Sequence, residues 1–567
     1  MPHRPLHKTP LSRRELLRGL GATAFTLRAA PFWGSPPLLA PGDGAQPSES
    51  TLFSEGPRYR PHYPSPSSLA GLLRLVPPGS DSYITELYAS QITALFATWG
   101  RELHSDPLRH TNLSALLSDR IEASSLTPTH ETVLRDRAGI RVSQRTFPPA
   151  ASTTPALFLA NLFRWLEPLS AVTVAEFEIY AIDVVPASPL TVQIEMRYNI
   201  AGTRHDHRRE ERVGTWQLIC SQPVSPKWTI HRWQATSELL SIGEPSPFID
   251  VTAHALAGNS SFAAQLQHGV DHWRTVLDGA CGIDIYANNG IAAGDYNGDG
   301  LDDIYVCQPA GLPNRLYRNR GDGTFEDVSA QAGVDVLDNT ACALFADFDN
   351  RGLQDLLVVG GNGPLLFRNN GNGTFALKKD AFQFAAPPNG TFTHAALADY
   401  DNDGRLDIYF CTYQYYLGLD QYHYPVPYYD ARNGPQNLLL HNEGNGRFVE
   451  TTQAAGLNIE NNRYSFACAW GDATGNGGPD LCIANDFGKS QLYRNNGDGT
   501  FRHVSQESRV QDAAAGMSAC WADFDNDGHQ DIYISSMWEA AGQRVSHQKQ
   551  FHPEATAEVR SEYQRQG

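Results

Sequence analysis

A nine-residue acidic phrase recurs five times along this chain. The copies are DYNGDGLDD (Asp295–Asp303), DFDNRGLQD (Asp347–Asp355), DYDNDGRLD (Asp399–Asp407), DATGNGGPD (Asp472–Asp480) and DFDNDGHQD (Asp523–Asp531). Their first residues stand 52, 52, 73 and 51 positions apart. Such a period means one supersecondary unit repeated and stacked, since a single unit of that size cannot bury its own apolar face. Each copy places Asp at positions 1 and 9, Gly at position 6 and, with one exception, oxygen-bearing side chains at positions 3 and 5.

Oxygen donors at that spacing suit Ca²⁺, which takes six to eight hard oxygens at about 2.3–2.6 Å. Loop one offers Asp295, Asn297, Asp299 and Asp303, with the carbonyl of Leu301 at position 7. Loop three offers Asp399, Asp401, Asp403 and Asp407, and loop five Asp523, Asp525, Asp527 and Asp531. Their position-7 residues are Arg405 and His529. Loop four is diluted, with Asp472, Thr474, Asn476 and Asp480 around Gly478. Loop two keeps Asp347, Asp349 and Asp355 but has Arg351 at position 5. A guanidinium cannot ligate a cation. We expect it to pair with Asp347 or Asp349 and to substitute for an ion. The closing Asp at position 9, with strands flanking the loop, separates this motif from a helix–loop–helix calcium switch. The ion is expected to hold a turn together.

Around each loop the texture is β. In the second unit ACALFAD (Ala341–Asp347) reads as a strand, then the loop, then LQDLLVVG (Leu353–Gly360). GPLLFRNNGNGTFALKK (Gly363–Lys379) supplies two more strands about a glycine-rich turn. Four short antiparallel strands per fifty residues make one blade of a β-propeller. The Phe after each turn (Phe325, Phe375, Phe448, Phe501) is expected in the core between blades. PFIDVTAHAL (Pro247–Leu256) resembles FEDVSAQAGV and is expected to supply an outer strand.

The chain divides into residues 1–60, 61–240 and 245–567. Ser12-Arg13-Arg14-Glu15-Leu16-Leu17 followed by a mildly apolar stretch resembles a twin-arginine export signal, with a Pro-rich linker after it. It implies a periplasmic or secreted protein. No later run is long and apolar enough to span a membrane as a helix. Residues 61–240 open with helical spacing (Ser82–Leu103, Thr154–Leu169) and continue as alternating strands (Val174–Val185, Leu190–Gly202, Arg212–Gln222, Lys227–Glu238). That order gives an α+β layer domain, and it resembles the nuclear-transport-factor-2-like superfamily. His205 and His207 read as a solvated hairpin turn. The formal charge of −18 argues against a nucleic-acid partner. The eight cysteines show no CxxC or zinc-finger spacing and read as buried free thiols.

The acidic loops, the LYRN-type GDGTF turns and IANDFG (Ile483–Gly488) resemble the FG-GAP/VCBS repeat proteins, and among them the bacterial group related to cartilage acidic protein. The resemblance implies a mainly β, integrin-α-like calcium propeller of about five to seven blades, with the loop residues named above as metal ligands. It implies an exported role in adhesion, carbohydrate or protein binding, or scaffolding. In that group an ASPIC/UnbV domain often follows the repeats. None is visible here, so the C-terminal part is expected to be missing.

The long third interval holds CTYQYYLGLDQYHYPVPYYDARNG (Cys411–Gly434), with seven tyrosines. Tyr416, Tyr422, His423 and Tyr428 are the candidate ligand-binding residues. The same insertion could equally cap the propeller channel with its own aromatics. Function is expected to be binding of protein or carbohydrate without catalysis, and no catalytic residue is assigned. The alternative is an exported calcium-dependent polysaccharide hydrolase or lyase, for which His423, Asp420 and Asp430 beside Tyr416 and Tyr428 form the compact set to test.

Overall fold

In a computed structural model, residues 77–566 are described, apart from 225, 246–247, 269–271, 274–289, 416–423 and 538–539. The expected export signal, Cys281, Tyr416, Asp420, Tyr422 and His423 lie outside the described residues. The described chain forms two compact units, residues 77–250 with 540–554, and residues 251–537 with 555–566.

The repeat region is a run of antiparallel sheets. Sheet one contains Ile291–Gly294, Asp303–Val306, Arg315–Asn319 and Phe325–Asp327. Sheet two contains Thr340–Ala346, Asp355–Gly360, Gly363–Asn369 and Phe375–Leu377. Sheet three contains Gly390–Ala398, Asp407–Tyr415, Leu438–Gly444 and Arg447–Glu450, with Phe382–Gln383 added in parallel at its outer edge. Sheet four contains Ser465–Gly471, Asp480–Asn485, Gln491–Asn495 and Phe501–His503. Sheet five is the hairpin of Ala515–Ala522 with Asp531–Met537. In every unit the acidic loop joins strand one to strand two, and its position-9 Asp is the first residue of strand two. First strands of successive sheets are neighbours. These are features consistent with repeat blades.

The second strands explain the packing. Side chains alternate across a strand, so a strand buried on both faces reads as a continuous apolar run. In DLLVVG, Leu356 and Val358 enter a core shared with sheet one, where they meet Tyr305 and Leu316. Leu357 and Val359 enter the core shared with sheet three, beside Ile408 and Phe410. Tyr409 and Cys411 face the other way, into the core shared with sheet four. Each fully buried side chain of this kind contributes about 1.5–3 kcal/mol. Phe375, Phe448 and Phe501 are buried in these inter-sheet cores, and Phe325 is half-buried.

One expected strand is absent. Phe248–Val251 forms no strand, Phe248 is 81% exposed, and Thr252–Leu256 is helical. Phe325–Asp327 already closes the outer edge of sheet one. The preceding segment instead hooks on through a side chain: Asn259 Nδ2 donates to the Phe325 carbonyl at 2.9 Å, and Asp327 N donates to Asn259 Oδ1 at 2.8 Å.

The other unit is α+β. Helix Ile84–Ser105 buries Ala89, Ile92, Phe96, Trp99 and Leu103, a stripe at three- and four-residue spacing. Helix Pro155–Leu166 starts at Thr154, whose Oγ1 accepts from Leu157 N, with Pro155 in the first turn. They lie with an eight-stranded sheet whose long strands are Leu169–Val185, Leu190–Arg204, Arg209–Val224 and Lys227–Gly243. Aromatic rings fill its interior: Trp99 stacks on Phe177 at 4.8 Å, and Trp216 lies 4.1 Å from Tyr198 and 4.6 Å from Trp233. Glu238, buried among them, accepts from Trp165 Nε1, Tyr198 Oη and Arg145. His205 and His207 do sit in the turn between two long strands, and His231 is hydrogen-bonded to Ser221 Oγ at 2.6 Å. The strands Leu117–Ala123, His130–Arg137, Ile140–Thr146 and Ala151–Thr153 complete the sheet. HETVLRDR is exposed throughout, so no apolar alternation announces it.

Cys220, Cys307, Cys411, Cys468 and Cys482 are buried free thiols; Cys342 is half-buried and Cys520 is exposed.

Candidate metal centres in the strand-one loops

The five loops share one internal frame. The position-1 carboxylate accepts the backbone N–H groups of positions 5 and 6. Asp295 takes Asp299 N at 3.1 Å and Gly300 N at 2.8 Å. Asp399 takes Asp403 N and Gly404 N at 3.0 and 2.8 Å, and Asp523 takes Asp527 N and Gly528 N at 3.0 and 2.9 Å. Asp347 and Asp472 do the same in loops two and four. Position 6 has positive φ in all five (Gly300, Gly352, Gly404, Gly477, Gly528, φ 75–92°), which is why glycine stands there. Position 4 is left-handed too, filled by Gly298, Asn350, Asn402, Gly475 and Asn526.

Position 9 has a different task. Asp303, Asp355, Asp407 and Asp480 are almost completely buried. Each accepts, at 2.8 Å, the backbone N–H of an Asn on strand three: Asn319, Asn369, Asn442 and Asn495. Asp303, Asp407, Asp480 and Asp531 also accept the N–H of position 2. Burial pushes the Asp303 carboxyl up to about 6, against the hydrogen bonds that lower it. Burial raises Asp407 as well, with the Asp401 charge adding to it. An adjacent cation would favour the ionised form of both.

Carboxylates converge where the sequence is richest in them. One oxygen each of Asp399, Asp401 and Asp403 lies within 4.8 Å of the others, and so do those of Asp523, Asp525 and Asp531. Asp401 Oδ1 is buried without a hydrogen-bond partner. These donor sets fit a hard cation. In loop one Asn297 and Asp299 bond to each other beside Asp295, and in loop four Thr474 and Asn476 crowd Asp472. The side chains of Asn297, Asp299, Thr474 and Asn476 supply oxygens there. To a hard cation Leu301, Arg405, Gly478 and His529 offer their carbonyls. The Arg405 side chain turns back to Asp403 and to the Asn442 carbonyl.

Loop two is arranged otherwise. The Arg351 guanidinium reaches Asp355 Oδ1 at 2.6 Å and lies 3.8 Å from Asp349, while Arg368 pairs with Asp349. Asp347 is contacted only through the Arg351 backbone N–H among its hydrogen bonds with that residue. The expected partner Asp349 is thus the weaker one, and Asp355 is the main one. Position 9 is nearer the reach of a side chain that leaves the loop at position 5.

The strand-three asparagines carry a role that the sequence alone does not announce. Their side chains tie each sheet to the one before. Asn369 Nδ2 donates to the Tyr296 carbonyl at 2.7 Å, Asn442 Nδ2 to Phe348 at 2.8 Å, and Asn495 Nδ2 to Tyr400 at 2.8 Å. Each acceptor is position 2 of the preceding acidic loop. The Asn that ends each LYRN-type phrase was the available signal.

Of the insertion, residues 411–415 and 424–434 are described. Tyr428 packs on Phe487 at 5.0 Å and on Tyr563 at 6.1 Å, and Tyr429 meets Tyr563 at 5.3 Å. Tyr413 donates to Asp486, whose carboxyl burial raises to about 6. Asp430 is committed to Arg463 and Arg432.

The FG-GAP-like repeat family matches residues 295–358, 347–410 and 472–534. Cartilage acidic protein 1 of Xenopus tropicalis is 33% identical over 165 residues, 28% of this chain and 25% of that protein. Its Homo sapiens counterpart is 33% identical over 155 residues, 26% of this chain and 22% of that protein. The chain therefore spans about a quarter of the length of these curated relatives. A solved Agrocybe aegerita lectin, described as recognising non-reducing terminal N-acetylglucosamine, is 13% identical with a TM-score of 0.27, covering 74% of this chain and 99% of its own. A putative scytalone dehydratase from Novosphingobium aromaticivorans is 11% identical with a TM-score of 0.20, covering 30% and 97%. The chain contains an FG-GAP repeat region distantly related to cartilage acidic protein.

Proposed function

We propose that this protein is an exported, non-catalytic binding scaffold whose repeat region is a β-propeller held by calcium at loops one, three, four and five. The observation that carries the reading is the shared loop frame. Two carboxylates, at positions 1 and 9, order the turn, and carboxylate oxygens converge at positions 1, 3 and 5 of loop three and at positions 1, 3 and 9 of loop five. Calcium would supply the countercharge those carboxylates lack. The α+β unit is taken as nuclear-transport-factor-2-like from its order of helices and strands, with a structural role suited to its filled interior.

The partner is protein or carbohydrate, engaged by the aromatic insertion around Tyr428. The purified chain, incubated with a glycan panel and with candidate extracellular proteins in calcium, should retain a ligand and release no product. Cleavage of a glycan would overturn the non-catalytic reading in favour of the polysaccharide hydrolase or lyase.

Loop two is proposed to substitute Arg351 for an ion. Arg351→Asp restores an acid at position 5 and frees Asp355. Calcium bound per chain, measured by equilibrium dialysis, should rise by one; an unchanged count would contradict the substitution.

A further inference from the structure

Loop three differs from its siblings in a residue outside the loop. The strand-three residue before the stapling Asn is Arg318, Arg368 and Arg494 in sheets one, two and four, but His441 in sheet three. Arginine is a fixed cation with no lone pair to give, whereas imidazole is a ligand. His441 Nδ1 lies 3.3 Å from Asp401 Oδ2 and 3.2 Å from Asp407 Oδ1, and its Nε2 lies 3.9 Å from Asp403 Oδ2. Despite that proximity, Nδ1 is buried and makes no hydrogen bond, and Asp401 Oδ1 is orphaned in the same way. Asp401, Asp407 and His441 each present one donor atom within 4.8 Å of the others.

We propose that Asp401, Asp407 and His441 form a mixed carboxylate–imidazole site for a borderline divalent ion of the zinc type. The inference rests on the reading that the acidic loops hold metal, and it changes which metal loop three selects. Two donors at about 2.1 Å from a common ion lie roughly 3.0–3.4 Å apart at octahedral to tetrahedral angles, and His441 Nδ1 lies at that separation from an oxygen of each aspartate. Calcium coordination in proteins is built from oxygens, whereas imidazole suits zinc, copper, nickel and iron. Asp401 also belongs to the Asp399–Asp401–Asp403 set. An ion held by His441 therefore competes with calcium for that carboxylate.

The test uses the full chain and Co²⁺ as a visible stand-in for Zn²⁺. Calcium is first counted alone, which tests the underlying calcium reading separately. Co²⁺ added over excess calcium should then bind tightly and lower the calcium count by one. His441→Arg installs the residue of the sibling sheets, so the fold should tolerate it. It should weaken Co²⁺ binding by at least the ~10–100-fold that loss of an outer-shell partner costs. Pulsed EPR of the wild-type chain loaded with Cu²⁺ should show one coupled imidazole nitrogen, a readout that needs no variant. No Co²⁺ uptake over calcium, or uptake unchanged in His441→Arg, would show that His441 is not a metal ligand.

Discussion

Adding a chelator to the full chain should lower the unfolding midpoint of residues 251–537 by about 15 °C or more, leaving the transition of residues 77–250 in place. A ligand at a thousand times its Kd stabilises the state it binds by about 4.1 kcal/mol per site. Loops three and five alone would then contribute about 8 kcal/mol, and each kcal/mol is worth about 2–4 °C in a domain of this size. Chelation also leaves Asp399, Asp401 and Asp403 facing one another at close range. At about 4 Å a pair of like charges costs roughly 1–4 kcal/mol, depending on solvent access. Differential scanning calorimetry with and without calcium measures the effect. A single transition that does not move would remove calcium from the account of stability.

Asn442→Ala should destabilise the same unit by about 3–6 kcal/mol. Its Nδ2 donates to the Phe348 carbonyl of the preceding loop and to Leu406, and its Oδ1 accepts Gly444 N at 2.8 Å. Asn442 is fully inaccessible; its bond to Phe348 is buried and the other two are part-buried. Removing the amide leaves two carbonyls and one N–H unpaired, at about 1–3 kcal/mol each. Asn370→Ala is the control. That residue is an exposed turn Asn bonding only Thr374 in its side-chain contacts, and its loss should cost less than about 0.5 kcal/mol. Denaturant unfolding of the two variants compares them. Equal costs would mean that the cross-sheet bond adds nothing beyond turn chemistry.

The acidic loops were legible because their chemistry is local. Ligand-bearing side chains, the position-6 glycine and the turn all lie within nine residues, and the flanking strands announce themselves by apolar runs such as DLLVVG. The staples were not legible, because Asn442 and Phe348 are 94 residues apart and nothing in either phrase names the other. His441 was hidden for the same reason: it stands 34 positions beyond Asp407 and meets it only once strand three pairs with strand two. The PFIDVTAHAL segment misled through likeness. Its second half folds as VSAQAG does, into a helical turn, but its first half finds the sheet edge already taken by Phe325–Asp327. Polar strands such as His130–Arg137 carry no burial signal at all.

Counting calcium per chain by equilibrium dialysis, in buffer stripped of other divalent ions, bears most directly on the claim that the repeated loops are metal turns. Four ions are expected, at loops one, three, four and five, with the count falling when Asp523 and Asp525 are changed together to Asn. A chain that binds none, or whose count is indifferent to those substitutions, would contradict it.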